Sequence, residues 1–246
     1  MAVYYGVYTA VRNTQGSAGK AQATVTAFHH AQTVISIERH LWLFHEHAVQ
    51  AVFIGWRTFL QLCNVYYGTA HFIVTGAAIV WLFRRQPARY QYWRNVLAIL
   101  TGLALVGFAV FPLMPPRLLD TAGGRYGFVD TLMRYGGSWS FDSGAMQKIS
   151  NQYAAMPSLH FGWSSWCALV FYPACHRWWT RALVVLYPLT TLFTIVVTAN
   201  HFVLDAIAGA MVLGAATLIA RPITAWTTRR VPPDASLEPS EPTTSA

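Results

Sequence analysis

HFVLDAIAGAMVLGAATLIA, residues 201–220, decides the fold. These 20 residues hold one acid, Asp205, and no lysine or arginine. As a helix the stretch rises about 1.5 Å per residue, enough for the ~30 Å hydrocarbon layer of a bilayer. Tyr66–Phe83, Asn95–Met114, Ser158–Cys175 and Ala182–Asn200 are apolar runs of comparable length. Only 11% of the 246 residues are charged, against about a quarter in an average soluble domain. The sequence predicts an all-α, polytopic membrane helix bundle with five clear spans. A soluble protein with five buried core helices is the weaker reading.

The +8 net charge is not spread like a nucleic-acid-binding face. It lies in short loops: Arg84, Arg85, Arg89 and Arg94; Arg177 and Arg181; and Arg221, Arg229 and Arg230. Two crossings separate each cluster from the next, so all three fall on one side, cytoplasmic by the positive-inside rule. This predicts a multi-pass protein of the cell membrane with a cytoplasmic carboxyl terminus. Residues 115–157 and the turn at Asn200 then lie together on the extracytoplasmic side. Cys63, Cys167 and Cys175 form no disulfide framework and read as small core residues.

Three regions follow. Residues 1–63 comprise an amino-terminal stub, VYYGVYTAV, which is a candidate first span too short to cross, and amphipathic helices over residues 24–63. Residues 64–222 form the membrane bundle, with the outer loop at 115–157. Residues 223–246, rich in proline and acid towards their end, read as a disordered tail.

Asp205 is the one acid inside a clear span, and an intramembrane carboxylate marks a functional or paired group. His201 stands four residues before it, on the same helix face. In AAMPSLHFGW, residues 154–163, Ser158 is placed to cap a helix whose first turn carries His160; Asn200 is placed to cap the last span in the same way. Two helix starts on one membrane side would present backbone N–H groups and positive dipole ends to an anion such as phosphate. Asp205 would fix the tautomer of His201 and leave its other ring nitrogen free as a nucleophile, while His160 suits proton transfer.

These residues resemble the type 2 phosphatidic acid phosphatase superfamily, in particular its inositol phosphorylceramide synthase-like branch. MPSLHFGW is similar to the second motif of that superfamily and NHFVLDAIAG to the third, and the resemblance spans roughly residues 60–220. It implies that His201 attacks phosphorus to give a phosphohistidine, that Asp205 orients it and that His160 protonates the leaving oxygen. FPLMPPRLL resembles the first motif of the synthase-like branch and makes Arg117 a phosphate ligand. Val110 and Ile195 stand where the superfamily pattern has a lysine and an arginine. Arg125 and Lys148 of the outer loop are therefore candidates for a second phosphate-binding cation, alongside Ser158 at its helix start.

His29, His30, His40, His45 and His47 crowd one region, but without a metal-binding spacing; neither metal nor cofactor is expected. Glu38 and Glu46 nearby read as surface or structural residues. The function implied is a metal-independent membrane enzyme cleaving a phosphoester or pyrophosphate bond of a lipid phosphate, with water or an alcohol as acceptor. The alternative is a transporter or lipid-binding protein using His201 and Asp205 for proton relay or headgroup binding; no inverted repeat supports it.

Overall fold

The computed structural model describes residues 17–135 and 152–229, whose regular elements are all helices, with no strand among them. The helices are α1 (Ser17–His40), α2 (Glu46–Phe53), α3 (Arg57–Arg85), α4 (Pro87–Val110), α5 (Thr131–Tyr135), α6 (Leu159–Phe171), α7 (Trp178–Val197) and α8 (Val203–Arg229). The stub at residues 3–11, Lys148 and the end of the tail lie outside the described residues.

Four helices are long and apolar enough to cross a membrane: α3, α4, α7 and α8. They mark an integral membrane protein. The expected fifth, Ser158–Cys175, resolves into α6, of 13 residues, and a short 3₁₀ turn at Tyr172–Ala174. Pro173 brings no N–H to continue the helical ladder, so α6 covers only about 20 Å. The expected boundaries also move. Residues 57–63, read as part of an amphipathic segment, open α3, and residues 223–229 of the expected tail continue α8.

Local chemistry sets the helix ends. Pro87 occupies the first turn of α4, where its missing N–H costs nothing, and Arg84 and Arg85 close α3 at its negative dipole end. Ser158 caps α6 as its sequence predicts, its hydroxyl accepting from Phe161 N–H.

Between spans in lipid the hydrophobic effect offers no drive, so close packing and polar contacts hold the bundle. α8 packs along α4 and α6, and α6 also packs on α3 and α7. Trp166, fully buried, fills the space among Leu82, Val96, Leu100, Leu213 and Ala216 and donates from Nε1 to the Trp93 carbonyl at 3.0 Å. Gln91 to Thr227 (2.7 Å) and Asn95 to Thr224 (3.0 Å) clamp α4 to the far end of α8. The outward faces are apolar, with Ile73, Phe83, Val106, Leu186, Met211 and Leu218 all exposed.

Two glycines set the approach of the segment around Ser158. A Cβ on Gly209 would lie 2.5 Å from the Ser158 carbonyl oxygen, and one on Gly107 would lie 2.7 Å from Pro157 Cδ. Only hydrogen at these positions lets α4 and α8 close on the start of α6. The Ser158 N–H then donates to the Asp205 carbonyl at 2.9 Å, which ties the start of α6 to the first turn of α8.

Candidate active site

The chain reverses between α7 and α8 in five residues, Thr198–Phe202. Ala199 adopts φ +53°, a left-handed conformation that costs a non-glycine residue about 1–2 kcal/mol and is held here by surrounding bonds. The Ile195 carbonyl accepts from both Asn200 and His201 N–H, and the Ala199 carbonyl accepts from Arg117 N–H at 2.8 Å. Asn200 does not cap α8 as expected. Its side chain donates to Thr198 Oγ1, and the helix begins three residues later.

His201 therefore stands just outside α8, yet the pairing predicted from its spacing forms. Its Nδ1 lies 3.2 Å from Asp205 Oδ2, with both side chains buried. The same oxygen accepts from Phe202 N–H at 3.0 Å. Nε2 of His201 is buried without a hydrogen-bond partner. The His160 and His201 ring centroids are 5.5 Å apart, tilted by 59°. Residues 41 positions apart in sequence thus meet at one point.

Arg117 lies on the 3₁₀ turn Pro116–Leu118 and is almost wholly buried. Its Nη1 pairs with Asp130 Oδ2 at 2.7 Å, while its Nε has no partner. Asp130 also receives Leu132 and Met133 N–H at the start of α5, so a single carboxylate fixes both the guanidinium and that helix. Arg125 is exposed; Lys148 lies outside the described residues.

One expectation is corrected. The start of α8 does not offer free N–H groups to an anion: those of Phe202, Val203 and Leu204 are taken by Asp205, Glu46 and Glu38. Of the two helix starts, α6 remains the candidate anion contact.

Sequence reasoning missed two residues of α3. Tyr67 stacks on His160 at 4.1 Å between centroids and faces His201 at 6.2 Å; His71, one turn on, meets His160 at 4.3 Å. An intramembrane histidine four residues after a tyrosine was a readable signal. A small cavity lined by Tyr67, His71, His160, Thr194 and Ile195 adjoins them, so Ile195 sits beside the histidines where the family pattern has an arginine. A separate apolar groove of about 300 Å³, lined by Leu103, Gly107, Phe111, Pro157, Ala208 and Val212, runs between α4 and α8 and ends next to Ser158.

The amino-terminal histidines have partners of their own, outside the site. His30 Nδ1 bonds the Pro112 carbonyl (2.7 Å), His40 Nδ1 bonds the Ser36 carbonyl (2.7 Å) and His47 packs edge-on against Phe128. Among the described residues no three histidine, cysteine, aspartate or glutamate side chains converge as a metal site.

No curated protein and no solved structure matches the chain. The sequence model of the PAP2 superfamily matches residues 32–219.

Proposed function

The chain belongs to the PAP2 superfamily, whose membership suggests phosphatase-type action on phosphoesters, and we propose that it is a membrane lipid phosphatase or phosphotransferase working through a phosphohistidine at His201. The observation that carries this reading is the buried, unpartnered Nε2 of His201, on a ring whose Nδ1 is held by Asp205 and which lies 5.5 Å from a second imidazole. An ionised carboxylate only accepts, so it places the proton on Nδ1 and leaves the Nε2 lone pair free.

In the first half-reaction Nε2 attacks phosphorus, the bond from phosphorus to the lipid oxygen breaks, and His160 gives its proton to that oxygen. In the second, His160 takes a proton from water or an alcohol, whose oxygen attacks phosphorus as the P–N bond breaks. A phosphorus atom about 3 Å from Nε2, with its leaving oxygen towards His160, fits between rings at this separation. Charge on the equatorial oxygens falls to the free Nε of Arg117 and the amino-terminal end of α6 at Ser158, with Arg125 or Lys148 as a second cation. The reaction requires no metal. The apolar groove beside Ser158 suits the lipid chain, and with α6 and the turn that continues it taken as the return crossing from His160 to Arg177, the positive-inside rule favours an extracytoplasmic site and a cytoplasmic carboxyl terminus. Inositol phosphorylceramide synthase-like transfer is the form in which an alcohol is the acceptor.

The test is turnover of a panel of lipid phosphates, with and without alcohol acceptors, by purified protein in detergent and chelator. His201→Ala and His160→Ala are each expected to lower turnover by about 10²-fold or more. Undiminished turnover in either variant removes the role assigned to that residue.

A further inference from the structure

The first backbone N–H groups of a helix need partners, and in a bilayer water does not supply them. At the start of α8 two come from far away in the chain. Val203 N–H donates to Glu46 Oε1 at 3.0 Å, and Leu204 N–H donates to Glu38 Oε1 at 2.7 Å. Glu38 lies in the last turn of α1 and Glu46 opens α2, so the chain between these helices folds two acids onto adjacent donors. Both side chains are fully buried.

Each carboxyl has its second oxygen, Oε2, buried without a hydrogen-bond donor, and the two groups lie within interaction range of each other. The other charged group acting on Glu38 is Asp205, also acidic; Arg39 beside it turns away to stack over Phe44. Two ionised carboxylates here would set acceptor against acceptor with no cation between them. One proton resolves this, because a protonated Oε2 donates to the other Oε2 while both Oε1 atoms keep their backbone donors.

We propose that Glu38 and Glu46 form an acid pair sharing one proton, and that this pair is the positioning element that seats the first turn of α8 and with it His201 and Asp205. The positioning role rests on the reading of His201 as nucleophile; the shared proton does not. A single negative charge suits the positive end of α8, whereas a second would oppose an incoming phosphate group.

The pairing makes a pattern of variants. In Glu38→Gln or Glu46→Gln the amide NH₂ replaces the shared proton as donor. In the double glutamine variant both Oε1 atoms are engaged by the backbone, and two NH₂ groups face each other. Infrared difference spectra of the full-length protein in detergent at neutral pH, in H₂O and D₂O, are expected to show the carbonyl stretch of a protonated carboxylic acid, absent from both single glutamine variants. Phosphate release from phosphatidic acid in mixed micelles is expected to persist within about threefold in the single variants. In the double variant kcat is expected to fall about tenfold or more with KM little changed. Absence of the acid band in the unaltered protein, or its persistence in both single variants, overturns the shared proton whatever the enzyme hydrolyses. A double variant as active as the singles overturns the positioning role. Should the double variant not fold, the band and the two single variants still decide. No turnover of any lipid phosphate, with the band present, counts against the phosphohistidine reading and leaves the acid pair standing.

Discussion

Gly209→Ala tests the geometry of the site without replacing any polar side chain in it. The added Cβ would lie 2.5 Å from the Ser158 carbonyl oxygen, where ordinary contact begins at 3.4 Å, so the start of α6 must withdraw from α8 by about 0.9 Å. That withdrawal strains the Ser158 N–H to Asp205 carbonyl bond, worth about 1 kcal/mol, and carries His160 away from His201. A displacement near 1 Å costs about 10²-fold in rate, or roughly 2.7 kcal/mol of barrier. Gly214, on the same helix, has nothing within 4 Å of its Cβ position. Gly214→Ala should leave the rate unchanged and stabilise α8 by about 0.5–1 kcal/mol. The assay is phosphate release at saturating lipid phosphate, with thermal unfolding in detergent to confirm that both variants fold. Gly209→Ala turning over within about threefold of the unaltered protein would refute the claim that close contact of these helices holds the two imidazoles in register.

Other substitutions probe separate supports. Asp130→Ala leaves the buried Arg117 guanidinium without its 2.7 Å partner and should lower stability by about 3–5 kcal/mol, measured by thermal or denaturant unfolding. Arg117→Lys keeps the charge but loses the planar fork, so kcat/KM should fall by about tenfold or more. Tyr67→Phe preserves the ring stacked on His160 and should leave turnover within about twofold, whereas Tyr67→Ala removes the stack and should lower kcat. Burial, then the neighbouring Glu46, pushes the Glu38 carboxyl from its ordinary 4.5 up to about 9. Between these values the folded protein holds more protons than the unfolded chain, so stability falls as the pH rises through that window. Thermal unfolding measured from pH 5 to 9 should show this decline, and Glu38→Gln should flatten it.

The parts of the molecule legible in the sequence are those encoded locally. Spacing alone put His201 against Asp205, and the pair forms even though the histidine lies outside the helix. Ser158 caps α6 because its own hydroxyl reaches Phe161 three residues on. The length of α6 was misjudged from hydropathy, which measures apolarity and not helix continuity; Pro173 was the available warning. The start of α8 was misread for a different reason. Its donors are satisfied by Glu38 and Glu46, more than 150 residues away in the chain, and no local pattern announces such a closure. The motif singles out Arg117, but neither its partner Asp130 nor its backbone bond to Ala199 can be read from it.

The reversal at Thr198–Phe202 both turns the chain and carries the His201 ring, with Ile195, Arg117 and Asp205 each bonded to it. A turn so fully engaged has no slack for insertion: one extra residue before His201 would shift the ring relative to the Ala199 carbonyl that Arg117 holds, and one after it would break its spacing to Asp205. On the proposed reading, variation in the lipid handled falls instead to the walls of the apolar groove that ends at Pro157. Descendants of this chain can vary in those walls while the hinge between the last two helices stays constant in length.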